Sequence, residues 1–339
     1  MSGTRMDEVA AVADRLFVAG APHGLSLALV VMHRGEVVFE RYGAQPDTLF
    51  GPGGEVNADT TLISWSMAKS ITHAAVGILV GDGLLDLDQP APVAGWAGTE
   101  KAAITMLNLL EMRSGLQFVE DYTDESVSNC LEMLYGTGQS DMAAYTAALE
   151  LVDAPGTMWN YSSGTTNIIS RIVGDALGDR AGEGHEQMSA FLRERLFEPA
   201  GMTFAEPKFD AAGTFVGSSY VYATARDFAC FGELYRNDGR VGDAVHGRQV
   251  LPQGWRDNAR TFAAHDPDGD FDYGRHWWLW PDLPGSLACH GYEGQYTVVV
   301  PDRELVVVHL GKSPTEVRAL VEAHIRSIIG AFPEAPCGA

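Results

Sequence analysis

With 339 residues, 46% of them apolar and 20% charged, the chain is long enough for one large domain or two interleaved ones and has an ordinary globular composition. A formal net charge of −22, with no basic run, argues against nucleic acid or an anionic membrane surface as a partner. The opening MSGTRMDEVAAVADRLF has acids and arginine where an export signal needs an apolar segment, and no later run of about 18 apolar residues could cross a bilayer, so a cytoplasmic location is expected. The four cysteines, Cys130, Cys230, Cys289 and Cys337, are far apart without a C-x-x-C pair, which fits reduced structural thiols better than a zinc site.

In chain order, Met6, Val9, Val12, Leu16 and Phe17 recur at helical spacing and predict a first amphipathic helix over 5–18. SLALVVMHRGEVVFERYG then reads as two strands joined at His33-Arg34-Gly35. The middle of the chain is helical in pattern, over 66–81, about 104–113, 142–150, 164–177 and 187–197, with Gly81-Asp82-Gly83 ending the first of these and Gly178 a C-cap of the fourth. Near the end, QYTVVVPDRELVVVHLG repeats the hairpin design around Pro301-Asp302-Arg303, and 314–332 gives a closing amphipathic helix. A lone hairpin is marginal in water, so the economical arrangement pairs the N- and C-terminal strands in one antiparallel sheet covered by the terminal helices. The segment DPDGDFD at 266–272 lacks the glutamate of an EF-hand and reads as a solvated acidic turn.

Lysine occurs only at positions 69, 101, 208 and 312, among 23 cationic side chains in all. Lys69 follows Ser66 by three residues inside an apolar, helix-like run, SWSMAKSITHAAVGILV, which puts both on one helical face. Two readings fit these residues alone. Ser66 begins a helix and Lys69 snorkels to water, or a buried lysine, shifted toward neutrality, activates the serine as a nucleophile. A second polar group stands in PGTMWNYSSGTTN, where Tyr161 sits in a short loop before a helix; beside a cationic lysine its phenolate is favoured, and it can pass protons. His73 falls on the same helical face as Ser66 and reads as a core histidine.

The order of six segments resembles the serine β-lactamase and penicillin-recognising superfamily, nearest its class C-like branch with family VIII esterases and 6-aminohexanoate-dimer hydrolases. They are SMAKS at 66–70, GDGLLDLDQPAPV at 81–93, ITMLNLLEMRSGLQF at 104–118, PGTMWNYSSGTTN at 155–167, YATARDFACFGELYRNDG at 222–239 and GYEGQYTVVVP at 291–301. The resemblance implies Ser66 as the acylated nucleophile, Lys69 as its general base and Tyr161 as a second acid/base. It also implies substrate contacts from Ser163, His290 and Gly291, with a backbone N–H just beyond His290 as the second oxyanion donor, and from Tyr122, which reads equally well as an exposed loop aromatic. The third motif of that superfamily, commonly Lys-Thr-Gly or His-Thr-Gly, is represented here by Cys289-His290-Gly291. Loss of its cation weakens the case for β-lactams, which carry a carboxylate.

These observations predict an α+β, β-lactamase/transpeptidase-like fold: an antiparallel sheet flanked by terminal helices, plus an inserted all-helical region. The expected parts are 1–65 with 211–339, and 66–210, the site lying between them. The expected activity is serine hydrolysis of a small amide or ester through an acyl-enzyme, without metal or organic cofactor. The alternative is a catalytically silent relative that binds peptides or lactams without turnover.

Overall fold

The computed structural model describes residues 3–47, 52–122, 127–242 and 246–335. Eight strands form one antiparallel sheet: β1 (Leu25–His33), β2 (Glu36–Tyr42), β3 (Ala264–His265), β4 (Asp272–Tyr273), β5 (Trp278–Leu279), β6 (Leu287–Gly291), β7 (Gln295–Val300) and β8 (Leu305–Lys312), in the order β3-β4-β5-β6-β7-β8-β1-β2. The N- and C-terminal strands meet one strand in from the β2 edge, where β1 pairs with β8 from Leu25↔Lys312 to His33↔Leu305. The β1–β2 turn is tight, with Arg34 at φ 58° and Gly35 at φ 79°, the pair of positive angles that a two-residue hairpin turn requires.

Both faces of the sheet are buried, and the two-residue period of its strands divides them. Leu29 and Val31 of β1 with Leu305 and Val307 of β8 pack under the terminal helices α1 (Gly3–Leu16) and α6 (Arg318–Gly330). Val30 and Met32 with Val306, Val308 and Leu310 face the other way, into a larger apolar cluster. That cluster takes in α2 (Ala68–Gly81), α4 (Ser163–Leu177) and α5 (Ala225–Arg236). Among these, α4 packs against α2, the short helices Met106–Leu110 and Met142–Ala148, and α3 (Asn129–Tyr135), while α5 lies on β1, β7 and β8.

Local chemistry explains where the elements differ from the periodic pattern. The helix expected over 104–113 is shortened to Met106–Leu110, because Thr105 caps it through Asn108 and Met112 turns to φ 56°. The helix α5 was hidden in a mixed run, although Thr224 and Asp227 form a capping box at its start. The helix expected over 187–197 continues through a π-helical stretch, Leu192–Phe197, and stops where Gly201 turns left-handed at φ 80°. Gly178 caps α4 at φ 100°, as its position in the sequence predicts. No helix among the described residues is long and apolar enough to cross a membrane.

Candidate active site

Ser66 is not in the α-helix itself. It occupies a 3-10 turn, Trp65–Met67, that leads directly into α2. Trp65 enters that turn at φ 44°, a region that bulky residues rarely adopt, and its ring is held against Tyr292 and Tyr220. The end of β6 lies close against the same turn. A Cβ on Gly291 would sit 2.4 Å from the Ser64 carbonyl oxygen, so glycine is what permits this approach.

From Ala68 to Leu79 every residue of α2 is buried. A helix enclosed on all sides gives a lysine no path to snorkel. Lys69 is accordingly 2% exposed, and its Nζ donates to Ser66 Oγ at 2.8 Å, Ser163 Oγ at 2.9 Å and the Ser218 carbonyl at 3.1 Å. An ammonium would donate in all three; the neutral amine donates in two and its lone pair is left to accept from the Ser66 hydroxyl. The Ser218 backbone is held in turn by Asn167, whose Oδ1 accepts from its N–H at 3.2 Å. Burial pushes the Lys69 pKa below the ordinary lysine value, and the nearby Glu120 carboxylate works against that shift.

Glu120 was not singled out by its place in the sequence, yet it organises this side of the site. Its Oε1 accepts from Ser163 Oγ at 2.6 Å and from the Tyr122 hydroxyl at 2.6 Å, and its Oε2 accepts from the Ser163 N–H at 2.7 Å. A chain of contacts therefore runs Ser66, Lys69, Ser163, Glu120, Tyr122. Tyr122, which the sequence left evenly between an exposed loop aromatic and a pocket residue, borders the cavity over Ser66; it is 38% exposed, with its ring against Tyr292 at 5.0 Å.

Tyr161 lies against the Lys69 amine, with Nζ 4.8 Å from its ring centroid, and Trp159, Tyr273 and Trp278 surround it. Burial, and next Glu120, raise its pKa above the ordinary phenol value, while a hydrogen bond with Ser66 opposes the rise. The phenol is therefore held protonated at neutral pH, in contrast to the phenolate expected from the lysine alone.

His290 also differs in character from the polar group expected over the site. Its ring stacks on Trp278 at 5.2 Å, and Trp280 Nε1 donates to its Nε2 at 2.9 Å. Burial and two arginines, Arg318 and Arg326, push its pKa well below the ordinary histidine value. With Nε2 accepting, the proton of the neutral ring is on Nδ1. His73 is a core residue, bonded to Tyr235 and stacked on Trp255.

Ser66, Tyr161, His290 and Gly291 open on a cavity of about 600 Å3. Its lining also includes two groups that local sequence pattern does not connect with the site. Asp266, Asp268 and Gly269, in the segment read as a solvated turn, form part of its rim, and Arg318 and Glu322 reach it from α6. Both come from parts of the chain more than 180 residues beyond Ser66 in sequence, so only the sheet order brings them close.

An antiparallel sheet covered on one face by the terminal helices and on the other by a helical cluster, with a serine and a buried lysine in that cluster beside the sheet, is the β-lactamase/transpeptidase-like architecture. The chain belongs to the Beta-lactamase family, whose model matches residues 13–328. Over 306 residues it is 26% identical to a 6-aminohexanoate-dimer hydrolase of Paenarthrobacter ureafaciens, covering 85% of this chain and 72% of that protein. A solved Bacillus anthracis protein, provisionally assigned as a 6-aminohexanoate-dimer hydrolase, superposes with a TM-score of 0.76 at 20% identity, over 96% of this chain and 82% of the other. A class C beta-lactamase solved in complex with cefoxitin gives a TM-score of 0.68 at 16% identity, over 97% and 99%. Family and relatives together make the protein a serine hydrolase.

Proposed function

We propose that the protein hydrolyses a small linear amide or ester through an acyl-enzyme on Ser66. The observation that carries this reading is the 2.8 Å contact between Ser66 Oγ and an amine whose burial favours its neutral form. Neutral Lys69 takes the hydroxyl proton as Ser66 Oγ bonds to the substrate carbonyl carbon. The oxyanion that forms is held by the N–H groups of Ser66 and Tyr292, the residue after Gly291. Tyr161, kept protonated, gives its proton to the departing nitrogen or oxygen as the carbonyl carbon releases it, and the proton that Lys69 took from Ser66 then passes to the Tyr161 oxygen, which restores the phenol and the neutral amine. Water then attacks the ester on Ser66 with the same groups acting in reverse, and the acid product leaves.

Side-chain charge favours amides and esters over β-lactams. The position that a third-motif cation would take holds neutral His290, and among the described residues the cavity lining carries Glu120, Asp266, Asp268 and Glu322 against Arg318 alone. A relative that is a 6-aminohexanoate-dimer hydrolase agrees with an amide. The test is a comparison of turnover on p-nitrophenyl butyrate, a linear p-nitroanilide and nitrocefin. Faster turnover of the ester and the linear amide is expected; fastest turnover of the lactam overturns the substrate reading. Stable labelling by a fluorescent penicillin with no turnover of any of the three would make the protein a binder instead.

A further inference from the structure

The cavity over Ser66 has a second, smaller lobe of about 100 Å3. Ser66, Tyr122 and Tyr292 line both lobes, so the serine stands at their junction and the two tyrosine rings, 5.0 Å apart, form the partition. The small lobe is closed by Trp65 on the Ser66 turn, by Cys130, Leu131, Leu134 and Tyr135 on α3, and by Ser163 and Ser219. None of the described residues lining it is charged.

The chemistry fixes which half of a substrate goes where, on the proposed reading of Ser66 and Tyr161. A proton donor must reach the leaving group. Tyr161 lines the large lobe and not the small one, so the leaving group departs into the large lobe and the substituent on the carbonyl carbon points the other way. A cavity of roughly 150 Å3 accepts benzene, so a smaller, mostly apolar one accepts an acyl chain of about three or four carbons. We propose that the lobe between Trp65 and Leu134 selects substrates with a short, uncharged acyl group, leaving the larger variation to the alcohol or amine half. A six-carbon acyl chain ending in an ammonium, the acyl half of a 6-aminohexanoate dimer, is both too long and wrongly charged for this lobe.

The test uses the full chain and p-nitrophenyl esters from acetate through butyrate and hexanoate to octanoate. The kcat/KM is expected to peak at propionate or butyrate and to fall by about ten-fold or more by hexanoate, the scale on which pockets reject surplus methylenes. Leu134→Ala, and separately Leu131→Ala should the first not fold, is expected to raise the hexanoate-to-acetate ratio by about ten-fold by opening the lobe. A profile that is flat or rises with chain length in the unaltered protein, with short esters still cleaved, overturns the lobe assignment and leaves the hydrolase reading standing. A folded Leu134→Ala or Leu131→Ala protein with an unchanged ratio overturns it equally. No turnover of any ester overturns the hydrolase reading, and this inference with it.

Discussion

Lys69 and Glu120 are coupled without touching: the hydroxyl of Ser163 stands between them, accepting from the amine at 2.9 Å and donating to the carboxylate at 2.6 Å. The carboxylate favours the charged lysine while burial favours the neutral one. Removing the charge of Glu120 therefore lowers the Lys69 pKa further. In Glu120→Gln the acid limb of the kcat/KM profile is expected to move to lower pH, because the lysine is already neutral there. A limb that stays in place would separate Glu120 from the base.

Tyr161 is held as a neutral phenol by burial and by Glu120. Tyr161→Phe keeps its packing against Trp159, Tyr273 and Trp278 and removes only the proton. The expected loss in kcat is about 10²–10⁴-fold, the usual range for a positioned acid, with KM and the thermal midpoint little changed. Steady-state kinetics with a melting curve checks both halves of that statement.

Gly291→Ala puts a methyl 2.4 Å from the Ser64 carbonyl oxygen, between strand β6 and the Trp65–Met67 turn. One of the two must move, and the positions of Ser66 and of the Tyr292 N–H move with it. A displacement near 1 Å in a catalytic constellation costs on the order of 10²-fold. A folded variant with strongly reduced kcat is expected, and circular dichroism beside ester turnover measures it.

Three buried histidines and the cavity-lining His290 make the fold acid-sensitive. Burial pushes His276 down to about 3 and His309 down to about 4, and lowers His73 and His290 well below the ordinary value. Below the unfolded-state pKa of about 6.5 the unfolded chain binds protons that the folded one refuses, so stability falls as pH drops. Urea midpoints at about pH 7 and about pH 5 should show the loss. His309→Gln, which can still bond to Ser26 and Gly294, should flatten it.

Much of the site is legible in local sequence because local spacing sets it. Ser66 and Lys69 are one helical turn apart, and an apolar run around them means burial. Ser163 follows Tyr161 by two residues at the start of α4. The hairpins on either side of the chain likewise declare themselves through alternation and turn residues. What local pattern does not carry is placement by topology. Glu120, in a loop, meets Ser163 only because α3 and α4 pack together, and Asp266, Asp268 and Arg318 reach the cavity because β3 and α6 lie on the rim that the sheet order creates. The protonation of Tyr161 is equally non-local: lysine alone would favour the phenolate, and the aromatic packing around the ring decides the other way.

Intact-protein mass spectrometry during turnover of p-nitrophenyl butyrate tests the acyl-enzyme most directly. The reading predicts a transient butyryl adduct that peptide mapping places on Ser66, and neither adduct nor turnover in Ser66→Ala. An adduct on another residue, or turnover undiminished in Ser66→Ala, would contradict it.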